Sequence, residues 1–457
     1  MECFKVYVNE IEGRLDPFYL KNISIIRNPK TNFNLVPLGN LLKDKIQYGA
    51  NERAIDGNRD KDIRYIRITD IDEFGNLKND DWKTAEKIED KYLLQENDIL
   101  FARSGATAGK TFIFKKEFGK SIFAGYLIRF KIDENKANPK FIFFYTQLKR
   151  YTAWVKSIQR PSGQPNINSE EFQSFEIPLP PFEIQNKIVQ LMDNAYSLKK
   201  TKESEAQQLL DSIDDYVLDE LGIKLPELKD KMSYVVDSSS IRGRVDPYYY
   251  QPKFEEVEKS IYQGKFDVKE LKDSFKNDLI KGMLPSEEEK DGDIKVLQIK
   301  NILKNGLINT SEYVTAKNIF KSEHKIKKEE IIIVITGATI GKVGLWYSDE
   351  EFYLGGDMIK FSVNNRFNPY FIQAFLLSQA GQYQLMREIT GATNKHLSPD
   401  NVKAIKVSLP PLEIQNKIAE EVKARMQKAK QLQEEAKSIL EEAKERVERI
   451  ILGNEEI

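Results

Sequence analysis

The 457-residue chain holds one cysteine, Cys3, and two histidines, His324 and His396. A lone cysteine excludes a disulfide within the chain, and so few thiols and imidazoles leave no ligand set for a Cys/His zinc site, so no metal is expected. Long apolar runs are missing too. The strongest, Ile331–Ile335, is far too short to span a bilayer. The opening Met1-Glu2-Cys3-Phe4-Lys5 lacks the basic-then-apolar pattern of a secretory leader. The expectation is a soluble, cytoplasmic chain without a membrane partner. Neither sign of charge dominates: 70 basic residues face 71 acidic ones. That balance excludes a uniformly basic nucleic-acid coat but permits local basic faces.

What the chain does have is a second copy of itself. "LPPFEIQNKI" from Leu179 returns as "LPPLEIQNKI" from Leu409, and "GRLDPFY" from Gly13 returns as "GRVDPYY" from Gly243, both 230 residues on. Asn138-Pro139 maps to Asn368-Pro369, "SGATAGK" from Ser104 to "TGATIGK" from Thr336, and "YIRITDI" from Tyr65 to "VLQIKNI" from Val296. So many matches, in one order and at nearly one spacing, mark a duplication.

The glycine motif invites a phosphate-binding reading, which the residues do not support. Gly105 and Gly109 enclose three residues where a P-loop needs four, and Val343 stands where the second copy would need Ser or Thr for Mg²⁺. Strand-like residues follow both copies, whereas a P-loop opens a helix. A tight turn between two strands, with glycine for positive φ, is expected instead. The Pro-Pro pairs are likewise not a methyltransferase motif, because Leu179 or Leu409 precedes them and cannot accept a hydrogen bond from an amino group. No catalytic constellation appears, and no catalytic residue is assigned.

Each copy divides in two. In the first part, Tyr65–Ile71, Asp98–Ala102, Thr111–Lys115 and Phe123–Ile132 read as strands. Asn138-Pro139 reads as a helix start followed by apolar residues at helical spacing over Phe141–Trp154, and Asn368-Pro369 starts its equivalent, Tyr370–Leu377. The second part follows the Pro-Pro pairs: from Phe182 to about Leu221 and from Leu412 to about Ile451 there is neither Pro nor Gly. Val422, Ala429, Ala436, Ala443 and Ile450 keep a seven-residue rhythm, with Leu432 and Ile439 between them; Ala206, Leu209, Ile213 and Tyr216 echo it. Arg425 and Arg446 interrupt that seam, which favours packing against another helix over a long homodimeric zipper. Two long helices that pack together and hold two globular modules apart are expected.

Charge is distributed unevenly. Pro139–Pro165 carries Lys140, Lys149, Arg150, Lys156 and Arg160 without an acid, and Phe101–Lys131 has seven basic residues against Glu117 alone. Met358–Arg387 holds Lys360, Arg366 and Arg387, again without an acid. Such stretches suit phosphate contacts. The polar loops that follow, Gln159–Asn168 and Thr390–Ser398, occupy equivalent positions but differ in sequence. Their Arg, Gln, Asn, Ser and Thr side chains are of the kind that pairs with base edges.

With these motifs the chain resembles the DNA specificity subunit of type I restriction–modification systems. The resemblance runs over essentially its whole length. It implies an α+β architecture of two tandem mixed α/β target-recognition domains, 1–180 and 226–410. Conserved long helices, 181–225 and 411–457, follow them and pack as an antiparallel coiled coil with pseudo-two-fold symmetry. It implies a non-catalytic chain that binds double-stranded DNA, each recognition domain reading half of a bipartite, asymmetric site. The partners implied are two methyltransferase subunits, which carry S-adenosylmethionine, and ATP-driven restriction subunits; the chain itself needs no cofactor. The DNA-binding residues implied at the glycine turns are Arg103, Ser104, Thr107 and Lys110, with Thr336, Thr339 and Lys342. Arg160, Ser162, Gln164 and Asn166 belong to the first variable loop, and Thr393, Asn394, Lys395 and His396 to the second. Lys149, Arg150 and Lys156 on the acid-free stretch complete the set. Readers on one side of the duplex would sit about one turn, roughly 10 bp, apart. Alternatives are a subunit of a related two-subunit methylation or restriction system, and a coiled-coil adaptor that never touches DNA.

Overall fold

The structure, a computed structural model, describes residues 31–456 apart from 73, 79, 159–164, 242, 287–289, 318 and 392–394. The Gly13 segment lies outside the described residues, as do Arg160, Ser162, Gln164, Thr393 and Asn394. Contacts divide the chain into two compact units: unit 1 runs to Thr201 and resumes at Glu435, and unit 2 is Lys202–Glu434. The division falls inside both long helices, so each unit contains a share of each.

Unit 1 contains β1 (Asn34–Pro37), β2 (Gln47–Tyr48), β3 (Ala54–Asp56), β4 (Arg64–Ile66), β5 (Lys83–Ala85), β6 (Ile99–Ala102), β7 (Thr111–Ile113), β8 (Ser121–Phe123), β9 (Leu127–Phe130) and β10 (Glu176–Leu179). Its short helices are α1 (Pro139–Tyr145), α2 (Lys149–Ile158) and α3 (Ser169–Ser174). A four-stranded antiparallel sheet, β2-β9-β6-β7, forms the centre. All four residues of β6 are inaccessible, which explains its unbroken apolar run. Phe101 packs with Phe130 and Phe172 on one face, while Leu100 joins Phe112 and Phe123 on the other.

Three local expectations for unit 1 need correction. The run 65–71 leaves the strand after Ile66, because the Asp70 carboxylate accepts the Arg67 N–H and bends 68–70 into a 3₁₀ turn. The run 123–132 is interrupted at 124–126, where the chain turns from β8 into β9. The helix over 141–154 is two helices: Thr146 turns its hydroxyl onto Phe143 O (2.6 Å), and α2 starts afresh at Lys149.

Unit 2 repeats the plan with β11 (Val268–Glu270), β12 (Ile280–Lys281), β13 (Lys290–Leu297), β14 (Val314–Ala316), β15 (Ile331–Val334), β16 (Val343–Leu345), β17 (Tyr353–Leu354), β18 (Met358–Phe361) and β19 (Lys406–Ser408). Its short helices are α4 (Pro252–Tyr262), α5 (Pro369–Leu377), α6 (Gln379–Arg387) and α7 (Pro399–Lys403). The central sheet is β12-β18-β15-β16, strand for strand the order of unit 1. The parallel pairings recur as well: Ile66 lies opposite Phe123 and Leu297 opposite Leu354. The core differs in chemistry. Ile333 stands where unit 1 has Phe101, while Ile331 repeats Ile99.

The long helices are Phe182–Leu221, the central helix, and Leu412–Ile451, the distal helix, each 40 residues and so about 60 Å long. Of the residues in the seven-residue rhythm, Val422, Ala429, Leu432, Ala436, Ala443 and Ile450 are buried, Val422 in the core of unit 2 and Ala443 and Ile450 in that of unit 1. Within unit 2, Ala206 clusters with Ala429 and Leu432, Arg425 donates to Ser212 O (2.8 Å), and Lys417 pairs with Glu220. The paired residues rise along the central helix (Ala206, Ser212, Glu220) as they fall along the distal one (Ala429, Arg425, Lys417), so the helices run antiparallel there. Arg425 interrupts the apolar rhythm because it crosses to the neighbouring helix, with its guanidinium over Tyr216.

The repeated motifs explain how each helix is fixed to its unit. Asn138 caps α1 by accepting from Lys140 N, and its own N–H and Nδ2 donate to Gln185 and Asn186 of the central helix (2.8 and 2.9 Å). Gln185 in turn donates to Pro180 O. Asn368 makes the same contacts with Gln415 and Asn416, and Gln415 with Pro410 O. The Asn-Pro and Gln-Asn repeats are thus two halves of one latch.

Candidate nucleic-acid interface

The glycine stretch is a turn between strands, as its context required. β6 and β7 pair antiparallel across it, with Phe101 opposite Thr111, and β15 and β16 do the same with Ile333 opposite Val343. Gly105 and Gly109 take φ of +76° and +91°, and Gly337 and Gly341 take +91° and +89°, values costly for residues with a Cβ. At Gly109 a Cβ would also lie 2.5 Å from Val155 of α2. The helix behind the turn fixes its far side: Tyr151 Oη donates to Gly109 O (2.7 Å), and Gln382 Nε2 donates to Gly341 O (3.1 Å). Different side chains at equivalent positions hold the same carbonyl.

The variable loop returns to this turn. In unit 1, Ser104 and Asn166 form a β-bridge, Ile167 N donates to Arg103 O (2.8 Å), and Gly105 N donates to Pro165 O (2.9 Å). In unit 2, Thr336 and His396 form the bridge, and Leu397 N donates to Ile335 O (2.9 Å). Residues some sixty positions apart are therefore brought side by side twice, on one backbone pattern. The side chains on that pattern differ. Arg103 lies over the Tyr48 ring at 5.1 Å and reaches Asn166 Oδ1 at 3.5 Å, the outer limit of a hydrogen bond. Its counterpart is the buried Ile335, and the polar pair of unit 2 is Thr336 Oγ1 with His396 Nδ1 at 3.3 Å.

The remaining expected residues divide. Thr107 and Lys110, with Thr339 and Lys342, sit half-buried on the turns; Asn166 and Lys395 are exposed, and Lys156 is exposed near the end of α2 that leads into the first loop. Lys149 and Arg150 lie at the opposite end of α2, where Lys149 pairs with Glu445 (2.8 Å) and its N–H meets Glu448. The structure groups these two with the distal helix, not with the turn. Acid-free stretches of sequence are not acid-free in space. Lys140 pairs with Asp193 (2.8 Å), Arg387 with Glu258 (2.9 Å), and Lys360 is wholly buried against Glu330 (2.6 Å). Tyr48, Tyr151 and Gln382 were missed, because only the fold brings them to the turn.

One frame built twice, with different polar residues at the same corner and a long helix latched to each copy, defines a duplicated two-module protein. The chain belongs to the type I restriction modification DNA specificity domain family, whose model matches residues 45–210 and 263–441. The resemblance drawn from the sequence therefore holds. Among curated relatives, the type I restriction enzyme StySPI specificity subunit of Salmonella potsdam is 25% identical over 206 residues. That match covers 44% of this chain and 43% of the relative, so the chain spans less than half the length of that protein. A putative type I restriction enzyme MjaX specificity subunit of Methanocaldococcus jannaschii is 24% identical over 400 residues, 84% of this chain and 85% of its own. A solved chain described for complex assembly and conformational transition of the type I R-M system aligns over 92% of this chain and 96% of its own. Its identity is 13% and its TM-score 0.50, a likeness of fold. Among the described residues, no helix is long and apolar enough to cross a membrane.

Proposed function

We propose that the chain is the DNA-reading subunit of a type I restriction–modification complex, each unit reading one half of a bipartite, asymmetric site in double-stranded DNA. The observation that carries this reading is the repeated bridge between glycine turn and variable loop, Ser104 with Asn166 and Thr336 with His396. A single backbone frame that presents Arg and Asn in one unit, and Thr and His in the other, suits two different base sequences. The Arg103 fork, supported on Tyr48, matches the O6 and N7 acceptors of guanine, and Asn166 matches adenine. Lys110, Lys156, Lys342 and Lys395 supply charge for phosphate contacts. The chain performs no chemistry in this reading. Methyl transfer from S-adenosylmethionine and ATP-dependent cleavage belong to partner subunits, recruited through the long helices. The naming of its relatives as specificity subunits supports that division of labour.

The test is binding of the full chain, alone and with methyltransferase subunits, to duplexes with randomised split sites. Arg103→Ala should cut base discrimination in one half-site about tenfold, the scale of one base contact, and leave the other half unchanged. His396→Ala should do the converse. Equal losses in both halves, or no sequence preference under either condition, would overturn the proposal.

A further inference from the structure

The second copy of the repeated "GRxDP[FY]Y" segment, from Gly243, belongs to neither the glycine turn nor the latch, yet it is anchored beside the variable loop of unit 2. Pro247–Tyr250 is a 3₁₀ turn capped by Asp246, whose Oδ1 accepts from Tyr249 N (3.0 Å). Arg244 projects from the start of this segment. Its Nε donates to Asp246 Oδ2 (2.9 Å), its Nη2 donates to Ile389 O (3.0 Å), and its Nη1 faces Glu388 at 3.5 Å. The Arg244 and Arg387 guanidinium groups both lie over the Tyr249 ring, at 4.2 and 4.6 Å. Glu388 and Ile389 are the residues from which the second variable loop departs.

The loop's stem continues from that anchor. Asn401 Nδ2 donates to Glu388 O (3.0 Å). Thr390 and His396 exchange both backbone hydrogen bonds (2.8 Å each), and His396 meets Thr336 across the bridge. A contiguous chain of contacts thus leads from Arg244 through Ile389, Thr390 and His396 to Thr336. Arginine suits the anchor because its planar fork serves a carbonyl and two carboxylates at once while stacking on a ring; lysine offers a point charge.

We infer that Arg244, braced by Tyr249, is a positioning residue for the second reading site, fixing the stem that holds His396 beside Thr336. This rests on the DNA-reading proposal above. The test uses the full chain with its methyltransferase subunits. The wild-type site is first found by mapping methylated adenines, and binding is then measured on duplexes altered in one half-site or the other. Arg244→Ala and Tyr249→Ala should each reduce discrimination at one half-site, the half that His396→Ala affects, by about tenfold. Discrimination at the other half should be unchanged. Tyr249→Phe, which keeps the ring, should behave as wild type, and Arg244→Lys should not restore discrimination. A merely structural role would weaken binding to every duplex in proportion to the unfolded fraction, without changing the preference among them, and that result would overturn the inference. So would wild-type discrimination in both alanine variants. A wild-type chain that prefers no sequence would instead overturn the DNA reading itself.

Discussion

Gln185 spends its whole amide on the latch: Oε1 accepts from Asn138 N and Nε2 donates to Pro180 O, both at 2.8 Å, in a side chain almost wholly buried. Removing it leaves the buried Pro180 carbonyl and the part-buried Asn138 N–H without partners, each costing about 1–3 kcal/mol. Gln185→Ala should therefore lower the free energy of unfolding by about 2–4 kcal/mol, read from the urea midpoint at constant slope. Asn186 is exposed and makes one bond of the latch, to Asn138 Nδ2. Asn186→Ala should cost about 1 kcal/mol or less. Equal effects of the two would show that burial is not what gives the latch its strength. The same contrast should hold for Gln415 and Asn416 in unit 2.

The central sheets carry a buried ion pair at one position, built with different residues. In unit 1, Arg129 of β9 faces Asp98 at 3.3 Å and donates to Leu93 O, and Asp98 accepts from Gln95 N. In unit 2, Lys360 of β18 meets Glu330 at 2.6 Å and donates to Lys325 O, and Glu330 accepts from Lys327 N. A long cation with a short acid has been exchanged for a shorter cation with a longer acid. Burial pushes the Asp98 carboxyl above its usual range even with Arg129 beside it, so desolvation outweighs attraction in that pair. Arg129→Lys and Asp98→Glu should each destabilise by about 1–3 kcal/mol, and the double variant should recover at least half of their sum in a double-mutant cycle. Additive losses would mean that the two lengths are not matched. These pairs also show what the sequence could convey. The long helices were legible from their Pro-Pro starts and forty residues without Gly or Pro, and the turns from their glycines. Lys360 looked like a surface cation because its partner lies thirty residues away, and Lys140 and Lys149 because theirs lie on long helices. Nor does local pattern reveal that Thr146 breaks a helical run by turning its hydroxyl back on Phe143. The meeting of turn and loop was legible only as two separate motifs; the bridge that joins them is tertiary.

At the scale of the whole molecule, charge in the proposed reading decides how DNA would be approached. A net charge of −1 gives no long-range attraction to a polyanion, so in that reading the electrostatic part of binding would come from cations near the turns and loops. Lys149 and Lys140 pair with Glu445 and Asp193, so the proposed phosphate contacts fall to Lys110, Lys156, Lys342 and Lys395. Each phosphate neutralised on B-DNA contributes about −0.9 to the slope of log affinity against log salt, so four contacts give a slope of about −3.6. Affinity of the chain for its own site should then fall about 10²-fold between 50 and 200 mM salt. Lys110→Ala should reduce the slope by about 0.9 and weaken binding to specific and random duplexes alike, whereas Lys149→Ala should leave the slope unchanged. Titrations at four or five salt concentrations separate these outcomes. A slope shift with Lys149→Ala would place the end of α2 against the duplex and move the DNA path from the turns toward the distal helix.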